Sequence, residues 1–136
     1  MADDSIARVV VGGKTQGFTG YMPGIVEECK IAMDKGQPVF LIGGFGGAAR
    51  VLVDIIEKKK KASDLRDMAL VVEDYKELFE WCGNNQIHID YESFDNVTIQ
   101  HLNNGLSNED NKKLFYSVDI IEIVSLILKG LNNINI

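Results

Sequence analysis

The sequence predicts an α/β fold in which a small, mostly parallel sheet is flanked by helices in three layers. Three observations carry this. Residues 7–11 (Ala-Arg-Val-Val-Val) and 38–42 (Pro-Val-Phe-Leu-Ile) are short, near-continuous apolar runs, the pattern of parallel strands covered on both faces. Each run stops at a pair of glycines. Between them, apolar residues recur at three- and four-residue spacing, as one face of a helix requires. A strand, a helix and a strand in that order make a β–α–β unit.

In chain order, the first helix takes its apolar face from Met22, Ile25, Val26, Cys29, Ala32 and Met33, with Glu27, Glu28, Lys30 and Asp34 opposite. Pro23 suits its first turn and Gly36 its C-terminal cap. After the second strand, Ala48, Val51, Leu52, Ile55 and Ile56 mark a second helix. Leu65, Met68, Val72, Tyr75 and Phe79 step along one face of a third. Residues 85–104 are the least patterned: Ile87-His-Ile89 and Val97-Thr-Ile99 fit either short strands or extended loop. Two capped helices finish the chain. Ser107 precedes one, with Asp110 three residues on, and Asp119 precedes the other, with Glu122 three residues on; both resemble capping boxes. The last helix, about 119–130, is apolar on most faces, so it is either deeply buried or part of an interface.

Composition excludes more than it assigns. The 136 residues suffice for one domain and not two. A formal charge of −6 argues against a broad nucleic-acid surface, which needs a basic footprint. The one basic block, Lys58-Lys59-Lys60-Lys61, reads as a solvated helix end. There is no apolar run of about 20 residues to span a membrane. With no secretory signal either, a cytoplasmic location is expected. Cys29 and Cys82 have no metal spacing and read as reduced packing residues. His88 and His101 are isolated in sequence, so neither a structural zinc nor another metal or cofactor is expected.

The chemistry gathers at the glycines. Gly43-Gly44-Phe45-Gly46-Gly47 lacks the spacing of a dinucleotide fingerprint. Glycines still let a ligand approach the backbone, and a following helix N-terminus attracts anions. Equally, they let a strand turn sharply into a helix. Gly12-Gly13-Lys14 ends the neighbouring strand on the same edge, where α/β sheets bind ligands. Lys14 and Arg50 are candidate phosphate partners. Gly20-Tyr21-Met22-Pro23-Gly24 opens the first helix. Glu27 and Glu28 in its first turns either complement the helix dipole or accept hydrogen bonds from ribose hydroxyls. Tyr21, and better Phe45 at its loop tip, could stack on a base. Asn103-Asn104-Gly105 is a turn whose amides could reach a base or ribose if the segment folds back over the sheet.

Together these pieces resemble the SLOG superfamily, Rossmann-like domains related to the cytokinin-activating "lonely guy" proteins. Within it they resemble the STALD-type SLOG sensors associated with TIR and Sir2 effectors in bacterial antiphage systems. The matching pieces are the Val-Val-Gly-Gly-Lys14 strand end, Gly20 to Glu28, Pro38 to Ala49, and Leu102-Asn-Asn-Gly-Leu106 with the terminal helices. They run in order through most of residues 8–131. The resemblance implies binding of a small nucleotide derived from NAD, such as ADP-ribose or its cyclic forms, by a sensor partnered with a TIR or Sir2 effector domain. Hydrolytic relatives follow Gly-Gly-x-Gly-Thr with a glutamate that acts on the ribose bond. Here Gly47 replaces the threonine, and Ala48, Ala49 and Arg50 stand where that glutamate would be. Binding without catalysis is therefore expected. A nucleotide N-glycosidase or transferase using Glu27 or Glu28 is the alternative, and an oligomerisation module built on the last helix is a third. Complete domains of this kind begin with an earlier strand, so this single domain is either a minimal version or the C-terminal part of a larger one. A sheet of so few strands leaves an open edge, which favours a homo-oligomer.

Overall fold

A computed structural model describes residues 6–134. Strands β1 (Arg8–Val11) and β2 (Val39–Ile42) pair in parallel, with Arg8 opposite Val39 and Val11 opposite Ile42. They are joined by the crossover helix α1 (Gly24–Asp34). Pro23 occupies the N-cap of α1, and Gly36 turns the chain at its end with φ +71°. The Gly36 N–H donates to Met33 O at 3.0 Å and the Gln37 N–H to Ala32 O at 2.9 Å. Helices α2 (Gly47–Ile56), α3 (Ala62–Leu70), α4 (Glu73–Asn84), α5 (Asn108–Tyr116) and α6 (Ile120–Asn133) follow. The architecture is α/β and helix-rich around two parallel strands.

Strand β2 is buried on both faces, as its unbroken apolar run requires. Val39 and Leu41, with Val10 of β1, pack into the larger core with α1, α2, α3 and α4. Phe40 and Ile42 pack on the other side with Leu114 of α5 and Ile123 and Leu126 of α6. Cys29 and Cys82 are free and buried in the larger core, and burial pushes the Cys29 thiol up to about 12.

Several expectations change. The single third helix is two, because the chain breaks at Val71–Val72, where Val72 turns to extended geometry as the N-cap of α4. Two consecutive β-branched residues weaken a helix, and Glu73 and Asp74 favour a fresh N-terminus. The 87–89 and 97–99 segments form no strand; two short 3-10 turns, Glu92–Asn96 and Ile99–Leu102, lie in this region instead. The lysine run is the α2–α3 connection. Its Lys59 Nζ donates to Tyr116 Oη at 2.7 Å, and the Lys61 N–H donates to Asp64 at the start of α3 at 2.8 Å. Helix α6 is neither fully buried nor fully exposed: Ile123, Leu126 and Gly130 face inward, while Ile120, Ile121, Val124 and Leu128 are exposed.

Both C-terminal caps form. Ser107 Oγ accepts from the Asp110 N–H at 3.1 Å, and Asp119 Oδ1 accepts from the Ile121 N–H at 3.0 Å. Asn103 and Asn104 pin the preceding turn to the N-terminal end of β2. Asn104 is buried and donates to Val39 O at 2.8 Å and to Asn111 Oδ1 at 2.7 Å, while Asn103 donates to Gly36 O at 2.8 Å. Gly105 and Gly130 let this turn and α6 touch backbone to backbone.

Asp119→Ala should lower stability by about 1 kcal/mol in urea unfolding through loss of the α6 cap. Neither cysteine should react with iodoacetamide in the native protein at pH 8, and both should react in urea, as mass spectrometry would show.

Candidate functional site

Both glycine clusters emerge at the C-terminal edge of the sheet, and there the chain binds itself. Gly13 O accepts from the Ala48 N–H at 3.0 Å, and Gly12 O accepts from the Ala49 N–H at 2.9 Å. Two first-turn donors of α2, the groups an anion would seek, are therefore engaged by the chain's own carbonyls. Only glycine fits at 47: a Cβ there would stand 2.5 Å from Gly13 O, on a backbone with φ +69°. Gly43 and Gly44 lie under the α5–α6 link. The Gly43 N–H donates to Phe115 O at 3.0 Å, and a Cβ on Gly44 would collide with Ser117 O. The sharp strand-to-helix turn thus accounts for Gly43, Gly44 and Gly47. Gly46 and Phe45 stand clear of it, with Phe45 half exposed.

Other candidates are drawn elsewhere. Arg50 Nε donates to Asp54 Oδ1 at 3.2 Å, and the guanidinium lies 4.9 Å from the centre of the Tyr116 ring. It is held along α2 by its own helix and α5. Glu28 pairs with Arg8 at 3.7 Å. Asn103, Asn104 and Gly105 sit at the opposite end of β2, where their amides hold the fold together. They do not fold back over the glycine loops.

What the fold does bring together is the loop of residues 12–23 and the start of α1. Lys14, Gly17, Phe18, Thr19, Gly20, Met22, Gly24 and Glu27 line a concavity of about 340 Å³. Helix α1 has no side-chain cap at Pro23, so its first turn opens without one beside Lys14. Lys14 and Glu27 are exposed and make no ion pair among the described residues. A second concavity of about 280 Å³ shares Gly17–Gly20 and adds Val72, Asp74, Tyr75 and Leu78.

The loop is anchored from below. Tyr75 Oη donates to Tyr21 O at 2.5 Å and meets Tyr91 Oη at 2.7 Å. Burial pushes both phenols up, so they stay neutral and hydrogen-bonded across the ordinary pH range. Phe18 packs edge-on against Tyr75, centroids 4.9 Å apart, and Gln16 Nε2 donates to Met68 O at 2.9 Å. Met22 and Pro23 are buried in this anchorage, whereas Tyr21 keeps its ring half exposed. Phe18 and Thr19 were not singled out from sequence, and Tyr75 was read only as part of a helix face. The available signal was loop length, since a structureless β–α connection of this length is unusual and commonly functional. His88 is grouped in space rather than isolated: its Nε2 meets Glu92 Oε1 at 2.5 Å, with Asp90 alongside. Asp90 also faces the Lys30 ammonium at 3.8 Å.

A family model described as SLOG cluster2 matches residues 1–114. The chain belongs to the SLOG superfamily. No curated protein and no solved structure matches it. SLOG membership makes its function nucleotide-related in general, and the matched span holds every loop of the site while ending before α6.

Gly47→Ala in this SLOG domain should cost on the order of 2–4 kcal/mol, from strain at positive φ together with collision with the Gly12–Gly13 carbonyls. Gly24→Ala, on the rim of the larger concavity with open space around it, should leave stability within about 0.5 kcal/mol. Thermal unfolding of the two variants checks both.

Proposed function

We propose that this SLOG domain binds a small NAD-derived nucleotide of the ADP-ribose or cyclic ADP-ribose class, as the sensor of a TIR- or Sir2-type effector in bacterial antiphage defence. On this reading the two strands and their flanking helices are a reduced Rossmann-like three-layer fold working in the cytoplasm. The observation that carries the proposal is the concavity at the start of α1. It joins an uncapped helix N-terminus, an uncommitted lysine and an uncommitted carboxylate, in a volume at the small end of ligand sites. Lys14 supplies the charge a phosphate needs, beside the first-turn N–H groups of α1. Glu27 accepts from ribose hydroxyls. The Phe18–Tyr75 side, or the exposed rings of Tyr21 and Phe45, provides apolar surface for a base. Among the described residues no helix is long and apolar enough to cross a membrane.

Glu27 also favours a second reading. It is the one carboxylate among the residues lining the larger concavity, so an N-glycosidase would have to use it, Glu28 being paired with Arg8.

Calorimetry with ADP-ribose, cyclic ADP-ribose isomers and NAD should detect binding of at least one. Lys14→Ala and Glu27→Gln should each weaken it about tenfold or more, roughly 1.4 kcal/mol, while Arg50→Ala and Glu28→Gln leave it nearly unchanged. No binding of any nucleotide would refute the proposal. Release of free base on incubation with AMP or NAD, lost in Glu27→Gln, would establish the glycosidase instead.

A further inference from the structure

Between α4 and the 3-10 turn at Glu92, residues 87–91 form neither helix nor strand. The core still holds them. Ile89 and Tyr91 are buried in the larger cluster, and Tyr91 Oη meets Tyr75 Oη at 2.7 Å. The residues between and beside them turn outward: His88 and Glu92 are exposed, and Asp90 is partly so. Three side chains able to ligate a metal therefore share one face at alternate positions. One ligand atom from each, an imidazole nitrogen and two carboxylate oxygens, lies within 4.8 Å of the others. Among the described residues no other group of three or more histidine, cysteine and acidic side chains converges in this way.

We propose that His88, Asp90 and Glu92 form a site for a divalent transition-metal ion, zinc foremost. His88 Nε2 and Glu92 Oε1 are 2.5 Å apart. Both atoms offer lone pairs, so a contact this close needs a cation between them, either a proton or a metal ion that displaces it. Metal bonds of about 2.0–2.2 Å place neighbouring ligand atoms about 3–3.5 Å apart. Exposed side chains reach that spacing by small rotations. Asp90 Oδ1 accepts from the Ser93 N–H at 3.0 Å, which orients the carboxylate as the outer partners of metal ligands do. Its Oδ2 faces the Lys30 ammonium at 3.8 Å. Lys30 also has Asp34 at 3.4 Å, so it keeps a counter-charge when Oδ2 turns to the ion.

The donor set selects the metal class. An imidazole ligand suits zinc, nickel or cobalt, whereas magnesium and calcium take oxygen shells. Three protein ligands leave a fourth position for water. With the His88 and Glu92 side chains 71% and 61% exposed, the ion is an accessory to a fold that stands without it. His88 matches no zinc spacing in the sequence because its partners are carboxylates, not cysteines or a second histidine. The cluster shares no residue with the concavity at α1, so this inference is independent of the nucleotide reading.

Calorimetric titration of the whole chain with zinc chloride should show one bound ion, with a Kd on the order of 10 µM. Magnesium chloride should give no binding at the same concentrations. His88→Gln, Asp90→Asn and Glu92→Gln should each weaken zinc about tenfold or more, with an unchanged circular dichroism spectrum, while His101→Gln leaves the affinity as it was. Because the chain has two histidines, NMR of the imidazole rings separates them: zinc should move the His88 signals and not those of His101. Absence of zinc binding up to the millimolar range would overturn the proposal. So would full affinity in any one of the three ligand variants, or ring signals that move at His101 instead of His88.

Discussion

The backbone clasp between Gly12–Gly13 and the start of α2 is the constraint on which the rest of the structure depends. Two carbonyls at the end of β1 receive the Ala48 and Ala49 N–H groups, so the end of one strand is tied to the helix that follows the other. A clasp of main-chain atoms needs backbones closer than any side chain allows, which is why Gly47 stands at its centre. Once formed, it sends the chain after Gly13 outward, into the long loop that becomes the wall of the site.

The same clasp makes the two helix starts unequal. Of the two helices starting at this edge of the sheet, α2 has first-turn donors occupied by the chain and α1 begins without a side-chain cap. Lys14 lies beside the open helix, whereas Arg50 is held by Asp54 and Tyr116 on the occupied one. The tyrosine pair beneath the loop completes the arrangement by fixing Tyr21 O from the α4 side. The loop is thus held by the chain itself, through buried hydrogen bonds and packed rings.

Much of the fold was legible because it rests on local rules. The buried runs of β1 and β2, the amphipathic α1, the Gly36 stop, and the Ser107 and Asp119 caps each follow from period, propensity or capping. The α3–α4 break was not legible, because Leu65, Met68, Val72, Tyr75 and Phe79 keep a helical spacing across an interruption only the backbone reveals. Glu27 and Glu28 were indistinguishable as neighbours in one turn. A rotation of 100° per residue sends the first to the concavity and the second to Arg8.

The sequence by itself determined the α/β class, the β1–α1–β2–α2 order and the two capped C-terminal helices, and the placing of two glycine clusters at strand ends, because these depend on side-chain periodicity, capping and glycine's backbone freedom. The family resemblance was likewise carried by those residues in order. Only the tertiary structure decided which glycines serve packing, which helix start remains open, and that Asn103 and Asn104 brace the far end of the sheet. Those outcomes turn on which hydrogen-bond donors and acceptors meet across 35 to 72 residues of chain. One-dimensional spacing does not encode that.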